Sequence, residues 1–311
     1  MSINTDGDSK VYSVEEFVEK FGFDKCAFDL LKFIESDNSK IKDLLISKYL
    51  GTALSAEEEE ELLEYFINNS VFSSATVANP ATSVVTEFLY ATPKIPLPID
   101  QYFFESAGGK AIHSRITRVE ENIHLLTDEF LKKGNVLIGN LGGGPGRDLI
   151  DVFSKYYKNN DNVAAINIDR DRNANLRGKR MAEAAGVQHK IEFAEASFMK
   201  YKPKQKFDII ILVGVLCSLP PDACVFVLRQ ARSLLAKGGC VMASNVSPKM
   251  LKDDPFTYFI MEKITNWHLI FKEEELLKDI FKKSGLIWQK SFSDDYGFHF
   301  MGIGSQKLLS F

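Results

Sequence analysis

The stretch Val136–Asp148 reads Val-Leu-Ile-Gly-Asn-Leu-Gly-Gly-Gly-Pro-Gly-Arg-Asp and joins an apolar run to four glycines and a predicted helix start. Glycines at such a point let the backbone turn tightly and leave room for a ligand against the main chain. A second apolar run, residues 163–168, ends at Asp169, about where a doubly wound fold places the acid that binds a ribose hydroxyl. The turn, the helix and the acid together predict a nucleoside-cofactor site.

The glycine spacing decides which cofactor is expected. A dinucleotide site needs G-x-G-x-x-G, but counting from Gly142 its last position falls on Arg147, and the sequence has no Gly-Lys-Ser/Thr for a phosphate loop. The spacing present is G-x-G-x-G at Gly142, Gly144 and Gly146, with Asn140 two residues ahead. This pattern resembles motif I of the class I S-adenosylmethionine-dependent methyltransferases, whose cofactor carries no phosphate.

Segments further along the chain follow in the order typical of that family. They are a predicted third strand (190–193) followed by Ala-Glu-Ala-Ser, an apolar fourth strand (207–214), a Gly-Gly turn before a fifth strand (240–244), and two final strands (285–288 and 298–303). The resemblance covers about residues 113–305. It implies an α/β fold with a doubly wound, seven-stranded methyltransferase sheet, mostly parallel with an antiparallel last strand, and a helical N-terminal part.

The resemblance also implies S-adenosylmethionine as the cofactor. Glu195 stands where the family commonly has the Asp that meets the adenine, and Asn140 stands where an acid near the methionine end is usual. Backbone groups of the glycine turn make many of the contacts with the cofactor, so neither departure from the family pattern excludes cofactor binding. The predicted cofactor contacts are Asn140, Gly142, Gly143, Gly144, Asp169, Glu195, Ala196, Ser197, Val213 and Gly214.

Composition limits the function classes. A net charge of −4 and a pI near 5.8 disfavour a nucleic-acid substrate, so a small-molecule substrate is expected. The four cysteines form no C-x-x-C pair, and no spacing suggests a metal site, so buried thiols and no metal are predicted. The N-terminus shows no signal peptide and the longest apolar stretch is too short for a membrane span, which favours the cytoplasm. A homodimer formed through the helical part is a further expectation.

The N-terminal part, residues 1–112, is predicted to be helical. Ser13 with Glu16 and Ser55 with Glu58 form capping-box patterns. Residues 71–100 are rich in Ser, Thr, Ala and Pro and predict an irregular connector. A long helix is predicted from Ala111 to Lys133, and residues 113–311 are predicted to form the cofactor-binding domain.

Candidate acceptor-site residues lie mainly in an aromatic segment, residues 245–272, which follows the fifth strand. His268 is predicted as the catalytic base, and Trp267 and Tyr296 as substrate contacts. Arg115 and Arg118, one helical turn apart, are predicted to bind a substrate carboxylate, with salt bridges to Glu120 and Glu121 as the alternative. His299, on the last strand, is a further candidate that could equally face outward.

The sequence therefore predicts a methyltransferase that acts on a small molecule, at a carboxylate or hydroxyl oxygen. A narrower resemblance, carried by residues 214–220, 235–239, 244–245 and 267–271, is to a bacterial branch that includes 3-hydroxy fatty acid carboxyl methyltransferases. Three alternatives stay open at this point: an N-methyltransferase, an aminopropyl transferase, and a non-catalytic cofactor-binding sensor or scaffold.

Overall fold

The computed structural model describes residues 12–79, 82–90 and 96–309, and the chain divides into two compact units. The first comprises residues 1–110 with 250–268, and the second comprises residues 111–249 with 269–311. None of the described helices combines the length and the apolar character that a membrane crossing requires.

In the described part of the chain, helices come first, and the strands follow from residue 136 onward with further helices between them. Two of the helices continue into short π-helical turns, at residues 153–157 and 260–264. The helices are α1 (Val14–Phe21), α2 (Lys25–Asp37), α3 (Ser39–Tyr49), α4 (Ala56–Asn69), α5 (Val71–Ala78), α6 (Ser83–Tyr90), α7 (Pro98–Glu105), α8 (Ala107–Leu131), α9 (Arg147–Val152), α10 (Arg172–Ala185), α11 (Pro221–Leu234), α12 (Lys249–Asp253), α13 (Pro255–Phe259) and α14 (Glu274–Lys283). The strands are β1 (Val136–Leu141), β2 (Val163–Asp169), β3 (Ile191–Glu195), β4 (Phe207–Leu212), β5 (Leu235–Val246), β6 (Ile287–Ser293) and β7 (His299–Ser305).

The first unit is helical, as predicted, and both predicted capping boxes are present at α1 and α4. The expected irregular connector is wrong, because residues 71–100 contain α5, α6 and the start of α7; residues 80–81 and 91–95 lie outside the described part. Ser70 caps α5, and the buried carboxylate of Asp100 accepts its hydroxyl at 2.7 Å and the backbone N–H of Phe72 at 3.0 Å. Ser70 itself is a local cap, but the Asp100 carboxylate that supports it is about thirty residues away and could not be predicted from the segment alone.

Part of the aromatic segment belongs to this helical unit, which the predicted division at residue 112 did not anticipate. The Asp254 carboxylate accepts the Gly108 N–H at 2.7 Å, and the Tyr102 and Thr257 hydroxyls are 2.7 Å apart. The Phe256 ring packs 4.9 Å from that of Phe23. Residues 250–268 therefore complete a core made mostly by the N-terminal helices.

The second unit contains a seven-stranded sheet with the strand order β3-β2-β1-β4-β5-β7-β6. The pairs among β1 to β5 are parallel, whereas β7 is antiparallel to both β5 and β6. This confirms the predicted doubly wound, mostly parallel sheet with an antiparallel last strand. The strand order reverses beside β1, so ligands are expected at the carboxyl ends of β1 and β4.

Apolar side chains cover both faces of the sheet. Along β4, Ile209 and Ile211 lie in one core with side chains of α8 and α9, while Ile210 and Leu212 lie in the other core with α11 and α14. Burial on both faces explains the continuous apolar run that the sequence shows here. The predicted long helix is α8, which belongs to this unit from Ala111 onward.

Candidate functional site

The glycine turn after β1 is built by backbone conformations that side chains oppose. Gly142, Gly144 and Gly146 have φ angles of 67°, 54° and 70°, in the left-handed region. The Gly142 N–H donates to the Ile168 carbonyl of β2 at 2.8 Å, and the Gly146 N–H donates to the Gly143 carbonyl at 2.9 Å. The turn therefore lies at the carboxyl ends of β1 and β2 with a fixed shape.

Two asparagines support the turn from below. The Asn140 side chain donates to Asp148 Oδ1 and Asn167 Oδ1, both at 3.0 Å, and the Asn167 amide donates to the Gly144 carbonyl at 2.9 Å. A Cβ on Gly143 would lie 2.3 Å from both amide groups, so no larger residue fits there. Asn140 thus has a structural task that the sequence did not suggest, and its predicted contact with the cofactor stays a prediction.

Asp169 ends β2 beside the turn. One carboxylate oxygen accepts the Gly144 N–H at 2.8 Å and the other accepts the Asp171 N–H at 2.8 Å. A carboxylate has about four acceptor positions, so roughly two are left after these bonds. The acid is therefore oriented by the main chain and keeps acceptor capacity for hydroxyl groups.

The end of β3 lies next to Asp169, because Glu195 is its register partner. Glu195 and Ser197 are exposed at this edge. The Ala196 N–H donates to the Asp169 carbonyl at 3.0 Å, so this amide continues the sheet. The side chain of Glu195 and the main chain at Ser197 are left as the groups that could meet an adenine ring.

Gly214, two residues after the end of β4, is hydrogen-bonded to the neighbouring strand β5. Gly214 has φ 78°, its N–H donates to the Ser244 hydroxyl at 2.8 Å, and nothing lies within 4 Å of a Cβ built on it. Val213 packs against the core on the α8 side of the sheet. Ser244 is the last residue of the predicted fifth strand, but its bond to Gly214 follows only from strand pairing.

Lys272 supports this region and was missed by the sequence analysis. Its side chain is buried, and its Nζ donates to the carbonyl oxygens of Leu216 at 2.9 Å and Ile270 at 3.0 Å and to Asn245 Oδ1 at 3.1 Å. Burial lowers the pKa of Lys272. The buried ammonium group of Lys272 thus binds three neutral acceptors, and its bond to Leu216 fixes the loop after β4.

Comparison with known proteins agrees with this geometry. Residues 132–285 match the family model of a methyltransferase domain. The chain therefore contains a methyltransferase domain, and its fold is that of the class I S-adenosylmethionine-dependent methyltransferases. No curated protein sequence matches it at a significant level.

Solved structures with low sequence identity share the fold of this methyltransferase. A possible exported protein from Bordetella parapertussis has a TM-score of 0.68 and 13% identity, over 91% of this chain and 97% of that one. Magnesium protoporphyrin IX methyltransferase from Synechocystis PCC 6803 with bound S-adenosylhomocysteine has a TM-score of 0.54 and 12% identity, over 80% and 99%. The same enzyme with bound S-adenosylmethionine gives 0.52 and 12%, over 82% and 99%.

The two arginines predicted to bind substrate are in different environments. Arg118 is paired with Asp295 at 2.8 Å and with Glu121 at 3.0 Å, so the salt bridge to Glu121 is present, and the predicted substrate contacts of the two arginines stay predictions. Arg115 is buried in the second unit. Helical spacing alone could not separate the two, because burial depends on what packs against α8.

The methyltransferase places the remaining predicted acceptor residues in both units. In the first unit, the His268 side chain is 66% exposed with its Nδ1 3.9 Å from Glu262 Oε1, and the Trp267 ring lies 6.2 Å from that of Phe72. In the second unit, Tyr296 is half-buried. The roles predicted for His268, Trp267 and Tyr296 stay predictions. Within the described ranges, no group of three His, Cys, Asp or Glu side chains could hold a metal ion.

Glu120 on α8 makes stability depend on pH. Burial raises the pKa of Glu120 to about 7, and the carboxylates of Asp151 and Asp148 contribute. Because the pKa of Glu120 is higher in the folded state than in the unfolded chain, protonation of this carboxyl stabilises the fold. The stabilisation is fully present below the ordinary pKa of a glutamate and is lost as the pH rises through about 7. We expect the free energy of unfolding to fall by about 1 kcal/mol more between pH 5.5 and 8 than in the Glu120→Gln variant.

Urea unfolding at the two pH values measures this difference. Glu121→Gln is the matched control, because Glu121 is the next residue on α8 and is exposed. This control should keep the pH dependence of the native chain. Equal pH dependence in E120Q and the native chain would show that the Glu120 carboxyl is ionised throughout.

Proposed function

We propose that this methyltransferase binds the adenosyl group of S-adenosylmethionine at the carboxyl ends of β1, β2 and β3 and transfers the methyl group to an oxygen atom of a small molecule. The observation that carries the proposal is the Asp169 carboxylate. It is held by two backbone N–H groups, next to a turn with three left-handed glycines, and it keeps acceptor positions for the ribose hydroxyls.

The other predicted contacts fit the same ligand. Glu195 is Asp169's neighbour on β3, at the distance of adjacent strands, where an adenine beside the ribose would lie. The open space at Gly214 suits the methionine part. S-adenosylmethionine supplies a methyl group on a sulfonium, and the chain must align the acceptor with it and exclude water.

A small-molecule acceptor is supported by charge. The net charge of −4 gives no electrostatic footprint for nucleic acid. The buried positive charge of Arg115 on the α8 side of the sheet favours an acceptor that carries or develops negative charge, which is an oxygen rather than an amine. For the same reason an aminopropyl transfer to a cationic polyamine is the weaker alternative.

Calorimetry tests cofactor binding, and a labelled-methyl screen tests transfer. We expect S-adenosylmethionine and S-adenosylhomocysteine to bind at micromolar concentration, within the usual range of about 1 μM–1 mM for enzyme substrates. Incubation with methyl-labelled cofactor and panels of hydroxyl compounds, carboxylic acids and amines should then label an oxygen compound. Labelled esters release methanol in base, while ethers and methylamines do not.

The outcomes separate the alternatives. Failure of both ligands to bind below millimolar concentration overturns the proposal. Labelled amines would show an N-methyltransferase. Binding without labelling of any panel would favour the non-catalytic sensor. A cytoplasmic location and a homodimer belong to the same proposal, and sedimentation at two protein concentrations tests the dimer.

A further inference from the structure

His299 lies at the edge of the sheet where the methyl group would be transferred. Because β7 runs antiparallel to β5, its first residue is at the carboxyl end of β5, where His299 pairs with Val246. Two residues earlier on β5, the Ser244 hydroxyl holds Gly214. His299 is therefore about two strand spacings, roughly 10 Å, from the end of β4.

His299 forms a pair with Asp294, the residue that follows β6. Its Nδ1 lies 3.2 Å from Asp294 Oδ2, and the same oxygen accepts the backbone N–H of His299. The other carboxylate oxygen accepts the Tyr296 N–H at 2.7 Å. His299 is only 6% exposed, and no hydrogen bond to its Nε2 is formed within residues 12–79, 82–90 and 96–309. One ring nitrogen is thus bound and oriented, and the other is available.

The protonation states suit proton acceptance. Burial lowers the pKa of His299, and the positive charge of Arg115 lowers it further, against the opposing effect of Asp294. Although burial alone would raise the pKa of Asp294, its hydrogen bonds from His299 and Tyr296 lower it. A neutral imidazole beside an ionised carboxylate carries its proton on Nδ1, which leaves a lone pair on Nε2.

Arg115 and Asp294 are the charged groups that face His299 among the described residues, from α8 and from the turn between β6 and β7. Met301 and Ile303, which share the face of His299 because side chains alternate along a strand, pack in the core with α8. The imidazole, Arg115 and Val213 therefore lie on one side of the sheet, at its ligand-binding edge.

We infer that His299 is the general base for a hydroxyl acceptor and that Asp294 is its positioning residue; this inference rests on the proposed function. His299 Nε2 accepts the hydroxyl proton while the acceptor oxygen attacks the methyl carbon. The C–S bond breaks, its electron pair goes to sulfur, and the imidazolium returns the proton to water. Arg115 stabilises negative charge on the acceptor oxygen.

The His299–Asp294 pair distinguishes between the two kinds of oxygen acceptor that the proposed function allows, a carboxylate and a hydroxyl. An ionised carboxylate has no proton to lose, so a buried Asp–His pair would add nothing to its methylation. A phenol or an enol keeps its proton at neutral pH and gains from a base. The substrate class that this site fits is therefore a hydroxyl compound, with phenols first.

The kinetic test uses methyl-labelled S-adenosylmethionine with 4-methylphenol and 4-methylbenzoate as probes. We expect labelling of the phenol, and we expect H299Q to lower kcat by 100-fold or more, since general bases contribute about 10²–10⁴-fold. D294N should lower kcat at least tenfold and shift the acid limb of the pH–rate profile. Affinity for S-adenosylhomocysteine should stay within about twofold in both variants.

His189→Gln is the control, because His189 is exposed beyond α10 at the opposite end of β3. Unchanged phenol methylation in H299Q would overturn the inference, as would methylation of the benzoate alone at a rate that H299Q does not alter. Failure of the native chain to bind S-adenosylhomocysteine would instead contradict the proposed function.

Nitrogen NMR of the imidazole decides the question if neither probe is methylated. With the His299 signal assigned by its absence in H299Q, we expect a neutral ring protonated at Nδ1 at pH 7. The Nε2 signal should shift when 4-methylphenol is added to the S-adenosylhomocysteine complex, and not with toluene. A ring protonated at Nε2, a charged ring, or no shift with the phenol would overturn the inference.

Discussion

The Asp169→Asn variant is expected to bind S-adenosylhomocysteine about a hundredfold more weakly than the native chain, which corresponds to about 2.7 kcal/mol. In the native chain, the N–H groups of Gly144 and Asp171 each donate to one carboxylate oxygen of Asp169. Asparagine keeps only one of these oxygens, and its NH₂ group would face the other N–H, which is also a donor. The variant therefore loses a charged acceptor for the ribose and loosens the glycine turn. Calorimetry measures the affinity.

Asp171→Asn is the matched control, because Asp171 caps α10 through Asn173 and Ala174 and asparagine is an equally good cap. Its affinity should stay within a factor of about three. The 2′-deoxy form of S-adenosylhomocysteine separates the sugar contact from the turn. The native chain should lose affinity for this analogue, and D169N should not discriminate between the two ligands. Equal loss in both proteins would place the ribose away from Asp169.

Asn140→Asp is expected to destabilise the fold by about 3 kcal/mol at pH 8, although the related enzymes usually carry an acid at this position. The Asn140 NH₂ group donates to Asp148 and to Asn167, and both accepting atoms are oxygens 3.0 Å away. A carboxylate oxygen in its place would meet two acceptors in a buried position. Protonation would relieve the repulsion, so the loss should be smaller at pH 5.

Urea unfolding at both pH values measures the effect, and Asn173→Asp at an exposed position of α10 is the control, expected within about 0.5 kcal/mol. The double variant N140D/D148N exchanges amide and carboxylate, and should recover part of the lost stability because it restores one donor–acceptor pair. If N140D is as stable as the native chain at pH 8, the buried amide network under the glycine turn does not have the arrangement described.

Local patterns predicted the parts of this protein that depend on neighbouring residues. The G-x-G-x-G spacing and the apolar run before it predicted β1 and its turn, because left-handed backbone and a strand buried on both faces each leave a direct mark on composition. Asp169 at the end of β2 was predicted from the apolar run before it, whereas Glu195 at the end of β3 was predicted from the resemblance to the family. The capping boxes of α1 and α4 were predicted because both partners lie within four residues.

Contacts between distant residues could not be predicted in this way. Asp100 supports the capped start of α5 from about thirty residues away. This contact lies in a segment that was predicted to be an irregular connector. His268 and His299 each stood beside aromatic residues in the sequence, and only strand pairing and the turn between β6 and β7 placed His299 against Asp294.

By itself, therefore, the sequence determined the sheet and the glycine turn, because these follow from backbone freedom and from periodic burial along one segment, and its resemblance to a family indicated the kind of cofactor. The tertiary structure alone decided that Arg115 is buried, what Asn140 bonds to, and that His299 is buried against a carboxylate. Burial and hydrogen bonding set protonation, and both depend on side chains that are brought together from distant parts of the chain.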